Sequence, residues 1–564
     1  MNGRRARAYR AYQKVKTLKP ARSLFDLSHS VLMTADMFKL YPVCIMEMSP
    51  GDTFHIYNQS VTRCQPMNAP ILSELWQNTH YFFVPYRILW EEWTKFITGG
   101  EEGQYGGDSR GEDVEPSEVS PELPRWIPSD GKNGVGSLWD YCGLPVGVKP
   151  DGAFPLDFVR RCYNRIWNEY YRDENLQDEV SEDNEDILYR SWKKDYFTSA
   201  LLSQQRGIAP ALPLSGSAFV KSGYSEPIVA VYNVTSVGVS TVSFTVTATI
   251  PEEYIDITTA SRWQYYSLNS VTGQYQWNSP DTVVISGNTI TFSGVSGGSD
   301  LPPQQIRVSG EFAQLGTSTA TDIKDLRQAF QIQKWLELAN RGGVRYTEFL
   351  RSFFGVSPRD DRLQRPEYIG GSKSPIIVSE VLQTSAVDGQ PTPQGNMAGH
   401  GLGAQRTYIG SYTAVEYGLL MGLMSYTTPP VYTQGINRQF LRRSKYDFLF
   451  PQFTGLSEQA IEGAEIYATD SETENRKVWG YNEIYDELRS MASRVVGKMR
   501  SVFNYWHLAR FFDSKPSLNG DFISGKDVSK RIFAVPSEDA FIVNYANIIR
   551  AVRPLPKYGT PRGV

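Results

Sequence analysis

The chain has 564 residues, of which 40% are hydrophobic and 21% charged, with a formal net charge of −4 and Trp 12, Tyr 33 and Phe 27 among its aromatics. That is too apolar and aromatic for a disordered chain, and long enough for three or four ordinary domains or one large elaborated one. Four cysteines (Cys44, Cys64, Cys142, Cys162) without a C-x-x-C pair indicate neither a disulfide framework nor a zinc cage, and five scattered histidines without H-E-x-x-H speak against a metalloenzyme; no cofactor is expected.

Residues 1–22 hold eight cations, Arg4, Arg5, Arg7, Arg10, Lys14, Lys16, Lys19 and Arg22, and no acid, leaving the rest of the chain with 49 basic against 61 acidic residues. Basic residues without an apolar stretch behind them read against a secretory signal. A block of like charge without apolar periodicity reads as an arm, and with Tyr9 and Tyr12 interleaved it suits phosphate neutralisation with base stacking. The end of the chain repeats the theme weakly, with Arg550, Arg553, Lys557 and Arg562 and no acid from Phe541 onward.

From Pro42 to Pro85 short apolar pieces alternate with turn signals such as Ser49-Pro50-Gly51-Asp52, which predicts strands. After Pro85 the period changes: Leu89, Trp93 and Phe96, then Val159, Cys162, Ile166 and Tyr170, fall at helical spacing. Two acidic stretches, Glu101–Glu122 and Asp173–Asp186, lack calcium-loop spacing and read as solvated surface loops. Residues 211–320 form a low-charge, hydroxyl-rich island, read as an inserted β-rich subdomain. Within it Val242 to Ile250 alternates strictly, and Thr282–Ile285 and Thr289–Phe292 flank Ser286-Gly287-Asn288 as a hairpin.

A helix is predicted from about Asp322 to Gly342-Gly343, and another periodic stretch runs from Tyr481 through Leu488 to Val495. The longest apolar run, Ala414 to Tyr426, is broken by Glu416 and ends at Pro429-Pro430, which predicts no membrane span. Arg531–Val535 and Phe541–Val552 read as closing strands. Strand signals near both ends favour one sheet sandwich closed by distant segments over a string of domains.

Enzymatic motifs give little. No P-loop occurs. Gly294-Val295-Ser296-Gly297-Gly298 fits G-x-S-x-G but sits in a Ser/Gly-rich stretch and reads as a turn, and Gly399-His400-Gly401-Leu402-Gly403-Ala404 fits G-x-G-x-x-A but follows a Pro-rich segment and reads as a loop. The chain is read as a non-enzyme.

The segments themselves go further. Phe25-Asp26-Leu27-Ser28-His29, Ser49 to Phe54 and His80 to Trp90 resemble the opening of the major capsid proteins of the Microviridae, the gokushovirus-like branch in particular. Leu326 to Phe330, Arg341 to Glu348, Leu363 to Gly371, Tyr446-Asp447-Phe448, Trp506-His507-Leu508, Ala534 to Ser537 and Arg553 to Pro561 are similar to its later blocks, in order. The basic arm, the acidic loops and most of the island fall outside the resemblance.

The resemblance implies a mainly β viral jelly roll: an eight-stranded antiparallel barrel spanning residues 23–564, with large loop insertions containing short helices. It implies self-assembly into a T=1 icosahedral shell around circular single-stranded DNA, in the virion and assembled in the host bacterial cytoplasm. Residues 211–320 become the candidate threefold protrusion, facing a host surface receptor. A small basic internal DNA-binding protein and a minor pilot protein are the further partners implied. The alternative, a secreted or tail-associated carbohydrate-binding β-sandwich, would need a signal or attachment segment and a concave acidic aromatic site. A cytosolic single-stranded DNA-binding protein would explain the arm but not the rest of the chain.

Overall fold

Five strands open the chain: β1 (Ser23–Asp26), β2 (His29–Ala35), β3 (Tyr41–Met48), β4 (Thr53–Cys64) and β5 (Leu75–Pro85). The computed structural model describes residues 21–98, 121–210, 220–221, 232–237, 241–246, 263–268, 275–286, 289–293, 305–308, 312–313, 323–382, 397–456 and 458–558. These separate into two compact units, one built from segments up to Gly207 and from Leu336 onward, the other from Ile208–Trp335. Among the described residues no helix is long and apolar enough to cross a membrane.

In Ile208–Trp335 the strands are β6 (Val220–Lys221), β7 (Tyr232–Val237), β8 (Thr241–Val246), β9 (Trp263–Leu268), β10 (Tyr275–Asn278), β11 (Thr282–Ser286), β12 (Thr289–Ser293), β13 (Gln305–Val308) and β14 (Phe312–Ala313). They pair as antiparallel sheets in the orders β11-β12-β8-β7, β10-β9-β13 and β14-β6. The predicted hairpin is β11 against β12, with Ser286 opposite Thr289 and with Val283 and Phe292 buried. The alternating stretch forms β8 as far as Val246; Thr247–Ile250 and the G-x-S-x-G stretch lie outside the described residues. A helix follows over Ile323–Gly342, where the apolar spacing puts one.

The chain continues with β15 (Glu367–Leu382), β16 (Met397–Thr413), β17 (Gly418–Thr427), β18 (Glu458–Glu462), β19 (Val478–Glu483) and β20 (Phe541–Arg553). Among the described residues one nine-stranded antiparallel sheet runs β1-β20-β4-β16-β15-β5-β17-β3, with β2 also on β20. β15 pairs with β5 as far as Ile376 and with β16 from Ile377, so it carries the sheet round from one half to the other. The two halves then face each other across a shared core, the jelly-roll arrangement.

Local chemistry explains each half. In β4 Phe54, Ile56, Asn58, Ser60, Thr62 and Cys64 are buried while His55, Tyr57, Gln59, Val61 and Arg63 are exposed, the period of a strand with one wet face. β17, by contrast, is buried along nearly its whole length, which is why its sequence reads as an unbroken apolar run. Its second face is covered by a helical layer, in which Phe158, Cys162, Tyr163 and Ile166 of the helix Phe158–Ile166 join Trp126 and Trp139 against Phe82, Val84, Leu419 and Met421. Trp93 packs on Tyr86 and Phe158, with ring centroids 4.9 and 5.9 Å away. The turn between β3 and β4 is closed by Asp52, whose amide donates to Ser49 O at 3.0 Å and whose carboxylate accepts from the Ser49 amide at 2.8 Å.

A column of polar side chains runs through the middle of the core. Tyr81 donates to Asn547 Oδ1 at 2.7 Å, Asn547 donates to the Val43 carbonyl at 2.7 Å, and Asn58 donates to the Tyr545 hydroxyl at 3.0 Å. Ser60 and Thr62 donate to Gln77 Oε1 at 3.1 and 3.2 Å. All of these bonds except Asn58–Tyr545, which joins the neighbouring strands β4 and β20, reach between strands of opposite halves, so the column ties the two faces as well as filling the space between them.

Three expectations are corrected. Gly399–Ala404 is not a loop but the start of β16: a Cβ at Gly399 would stand 2.6 Å from Ala69 O and one at Gly401 2.3 Å from Cys64 Sγ. The glycines let neighbouring chain come close to a strand, and they serve no phosphate. The Tyr481–Val495 stretch is not a helix; it opens in β19, paired with β18, and turns at Tyr485, whose φ of 63° no right-handed helix tolerates. Arg531–Val535 is not a strand. Arg531 is pinned there by its donations to the carbonyls of Asn504, His507 and Ala509, and Phe533 turns into the core.

The carboxylate of Asp36 is buried beside the last strand, accepting from Lys530 at 2.9 Å, Lys39 at 3.1 Å and the Ala540 amide at 3.2 Å. Burial alone would raise its pKa, but the hydrogen bond from Lys530 and the charge of Lys39 outweigh it and hold the carboxyl below its usual range. A folded-state pKa lowered in this way adds stability above the ordinary carboxylate range, and that stability is lost as pH falls through the lowered value. Asp36→Asn should therefore lower unfolding free energy by about 2 kcal/mol at neutral pH, with the deficit shrinking in acid. Denaturant midpoints of both proteins measured from pH 7 to pH 3 check this; a deficit independent of pH would contradict it.

Candidate assembly and nucleic-acid surfaces

The wet face of β4 lies between β20 and β16, and the register decides what it presents. Tyr57 stands opposite Tyr408 with ring centroids 4.8 Å apart, Gln59 opposite Arg406, and Arg63 between Leu402 and Ile542. His55 stands opposite Arg550. Leu32 on β2 is 79% exposed and Ile542 59%, an unusually apolar surface for a sheet facing water. Among the described residues none of Arg63, Arg406 and Arg550 forms an ion pair, although Arg550 stands opposite Asp26 across β1, so the face carries exposed guanidinium groups and tyrosine rings together. That pairing can hold phosphates and stack bases, or meet another apolar protein surface.

A second surface is built on the loops after β17. Phe440, Tyr446, Phe448, Leu449, Leu456, Leu488, Met491, Val496 and Val502 are exposed within this one stretch of chain. Charged groups underneath fix the loops that carry them. Arg438 donates to Glu465 Oε1 and to the Ala460 carbonyl, both at 2.7 Å, and Tyr196 donates to Glu465 Oε2 at 2.8 Å. Burial raises the Glu465 pKa even against the charge of Arg438. Arg443 grips Glu462 with two bonds of 2.9 and 2.7 Å, and the Arg442 guanidinium lies 4.9 Å from the Phe448 ring. Apolar side chains on an ionically braced scaffold lose little freedom when another surface covers them, which favours association.

The predicted DNA-binding residues divide. Arg4, Arg5, Arg7, Arg10, Lys14, Lys16 and Lys19 lie outside the described residues, while Arg22 is exposed at the head of β1. β1 pairs Ser23 with Arg553, so the N-terminal arm and the C-terminal segment leave the sheet side by side. Arg553 itself is structural, donating to Asp52 Oδ2 at 3.0 Å and to the Glu47 carbonyl at 2.6 Å. Sequence reasoning missed Tyr57, Arg63, Arg406 and Tyr408; the alternation of β4 past Tyr57 carried the signal for two of them.

The acidic stretch Asp173–Asp186 is less solvated than expected. Glu185 is buried and accepts from the Trp126 indole at 2.9 Å and the Ser129 amide at 3.1 Å, 3.6 Å from Arg160. Glu174 takes Arg345 at 2.8 Å. These carboxylates brace the helical layer. Most of Glu101–Glu122 lies outside the described residues.

Comparison with known proteins covers nearly the whole chain. The capsid protein (F protein) family matches residues 13–562. The capsid protein VP1 of Chlamydia phage 1 is 33% identical over 98% of this chain and 97% of its own length. The VP1 of Bdellovibrio phage phiMH2K is 31% identical over 98% and 97%, and that of Spiroplasma virus 4 is 27% identical over 96% and 95%.

Proposed function

Since this chain belongs to the capsid protein (F protein) family, we propose that its sheet, loops and arm divide the work of building and filling a T=1 icosahedral shell around circular single-stranded DNA. It is a major capsid protein, a structural component of a phage virion and no enzyme. The observation that carries the reading is the family match from residue 13 to residue 562 of a jelly roll whose loops expose large apolar side chains. Such side chains are costly in a chain that stays alone and useful in one that is covered by copies of itself. A small basic internal protein and a minor pilot protein are the proposed companions inside the shell. The residues from 211 to 320 are proposed as the threefold protrusion, whose low-charge hydroxyl surface meets a host receptor.

The arm acts by electrostatics. Eight cations on single-stranded phosphates make log affinity fall with log salt at a slope of about 6, and the exposed sheet face adds guanidinium groups beside the arm's root.

Three outcomes are expected. At modest salt the purified chain, alone or with added single-stranded DNA, forms uniform closed shells in sedimentation velocity and negative stain; Phe440→Asp with Met491→Asp keeps the unfolding midpoint but stops at small species. A stable wild-type monomer under both conditions would sink the reading. Removing residues 1–22 lowers the salt slope of DNA binding by most of its value; an unchanged slope removes the arm from the account. Deleting Gly216 to Gly310 leaves shells able to form but unable to adsorb to host cells, and normal adsorption would refute the protrusion's role.

A further inference from the structure

A cleft of about 680 Å³ opens on the outer side of β5, away from the polar column, where Trp76, Asn78 and His80 meet the loop Ser191–Lys194, the end of β17 and the start of β15. Its wall carries Arg190, Lys193, Lys194, Arg365 and Lys373 against Glu74 and Asp360. Both acids are already engaged: Glu74 accepts from the Trp76 indole at 3.1 Å, and Asp360 from Arg365 at 2.7 Å and Tyr170 at 3.1 Å. Among the described residues Arg190, Lys193 and Lys373 form no ion pair, and Lys194 is held by Asp173. The cleft is therefore cationic.

It is also aromatic. The Lys373 ammonium lies 4.2 Å from the centroid of the Trp76 ring, and Arg190 sits 5.8 Å from that of Tyr171. Tyr368 is 47% exposed, with its ring braced edge-on by His80 at 5.9 Å. His80 contacts the Tyr171 hydroxyl at 2.7 Å. Burial first, and the Arg190 charge second, push its pKa down to about 4, so it stays a neutral, packed support at neutral pH.

Two hydroxyls complete the wall. Thr428 is 2% exposed, and neither its Oγ1 nor the buried Oγ of Ser191 has a hydrogen-bond partner. A buried hydroxyl left unpaired costs free energy that a hydrogen-bonding ligand would recover.

We propose that this cleft is a nucleotide-binding subsite for single-stranded DNA, in which a base lies on the Tyr368 and Trp76 rings with its edge toward Thr428 and Ser191, and the flanking phosphates meet Arg190, Lys193 and Lys373. The proposal rests on the reading that the shell encloses single-stranded DNA. A neutral sugar would satisfy the hydroxyls and the rings but would leave the surplus of cations unanswered; a base with its two phosphates answers all three. The subsite uses none of the residues of the arm or of the face of β4, and it contributes by stacking as well as by charge.

The test uses the full chain with an oligodeoxythymidylate probe followed by fluorescence anisotropy across a salt series, and the same probe carrying 5-bromodeoxyuridine for photocrosslinking. Lys193→Ala with Lys373→Ala should lower affinity about tenfold and reduce the salt slope by roughly 1.4, two phosphates' worth. Tyr368→Leu, which keeps an apolar side chain over His80, should lower affinity about tenfold with the slope unchanged, because stacking releases no counterions. Crosslinks should fall in peptides spanning residues 74–82 or 366–373. Wild-type affinity and slope in both variants, with crosslinks confined to the arm, would overturn the subsite while leaving DNA packaging intact. No binding by the wild-type chain would overturn both.

Discussion

The hydrogen-bonded column inside the jelly roll sets the terms for everything outside it. An apolar core alone would let two sheet halves slide; Tyr81 on Asn547, Asn547 on the Val43 carbonyl and Ser60 on Gln77 admit one register only. A slipped strand would bury these groups unpaired, at a cost comparable to a sizeable part of a domain's net stability. The column therefore turns a tolerant hydrophobic contact into a specific one. Once the register is fixed, so are the faces: the outward residues of β4, β16 and β20 line up as tyrosine on tyrosine and guanidinium beside aliphatic, and β15 is held where it rounds the corner.

Much of this was legible in the chain. β4 and β20 betray themselves because half of each strand is wet, so polar and apolar side chains must alternate; β17 betrays itself because neither face is. The closing of the sheet by opposite ends of the chain followed from strand signals at both termini. What misled was residue spacing without context. From Tyr481 to Val495 apolar residues recur as on a helix, yet Leu488 and Met491 are exposed and Tyr485 turns left-handed. Around Gly399 the glycines suggested a loop because a strand's usual marker, a bulky side chain, is what close approach of the neighbouring chain forbids there.

The candidate surfaces were legible only in part, for a related reason. Charge is visible in sequence whatever the fold, so the basic arm and the cationic C-terminus stood out. A binding face made of residues from β4, β16 and β20 has no signature until pairing brings Tyr57 to Tyr408, nor does a cleft that collects Trp76, Tyr368 and Thr428 from three parts of the chain. Arg553 shows the converse: grouped by charge with Arg550 and Lys557, it is spent on Asp52 and the Glu47 carbonyl at the β3–β4 turn.

The position of β20 has a consequence for how the shell is made. This last strand lies between β4 and the strands that open the chain, so residues 23–64 have no completed sheet until residues 541–553 have been synthesised and have left the ribosome. Every earlier product of translation, whether paused or prematurely terminated, lacks the strand that carries Tyr545 and Asn547 and hence the column that fixes the subunit's shape. A chain that stops before residue 541 therefore leaves β1 and β2 without a partner strand and β4 with one bare edge.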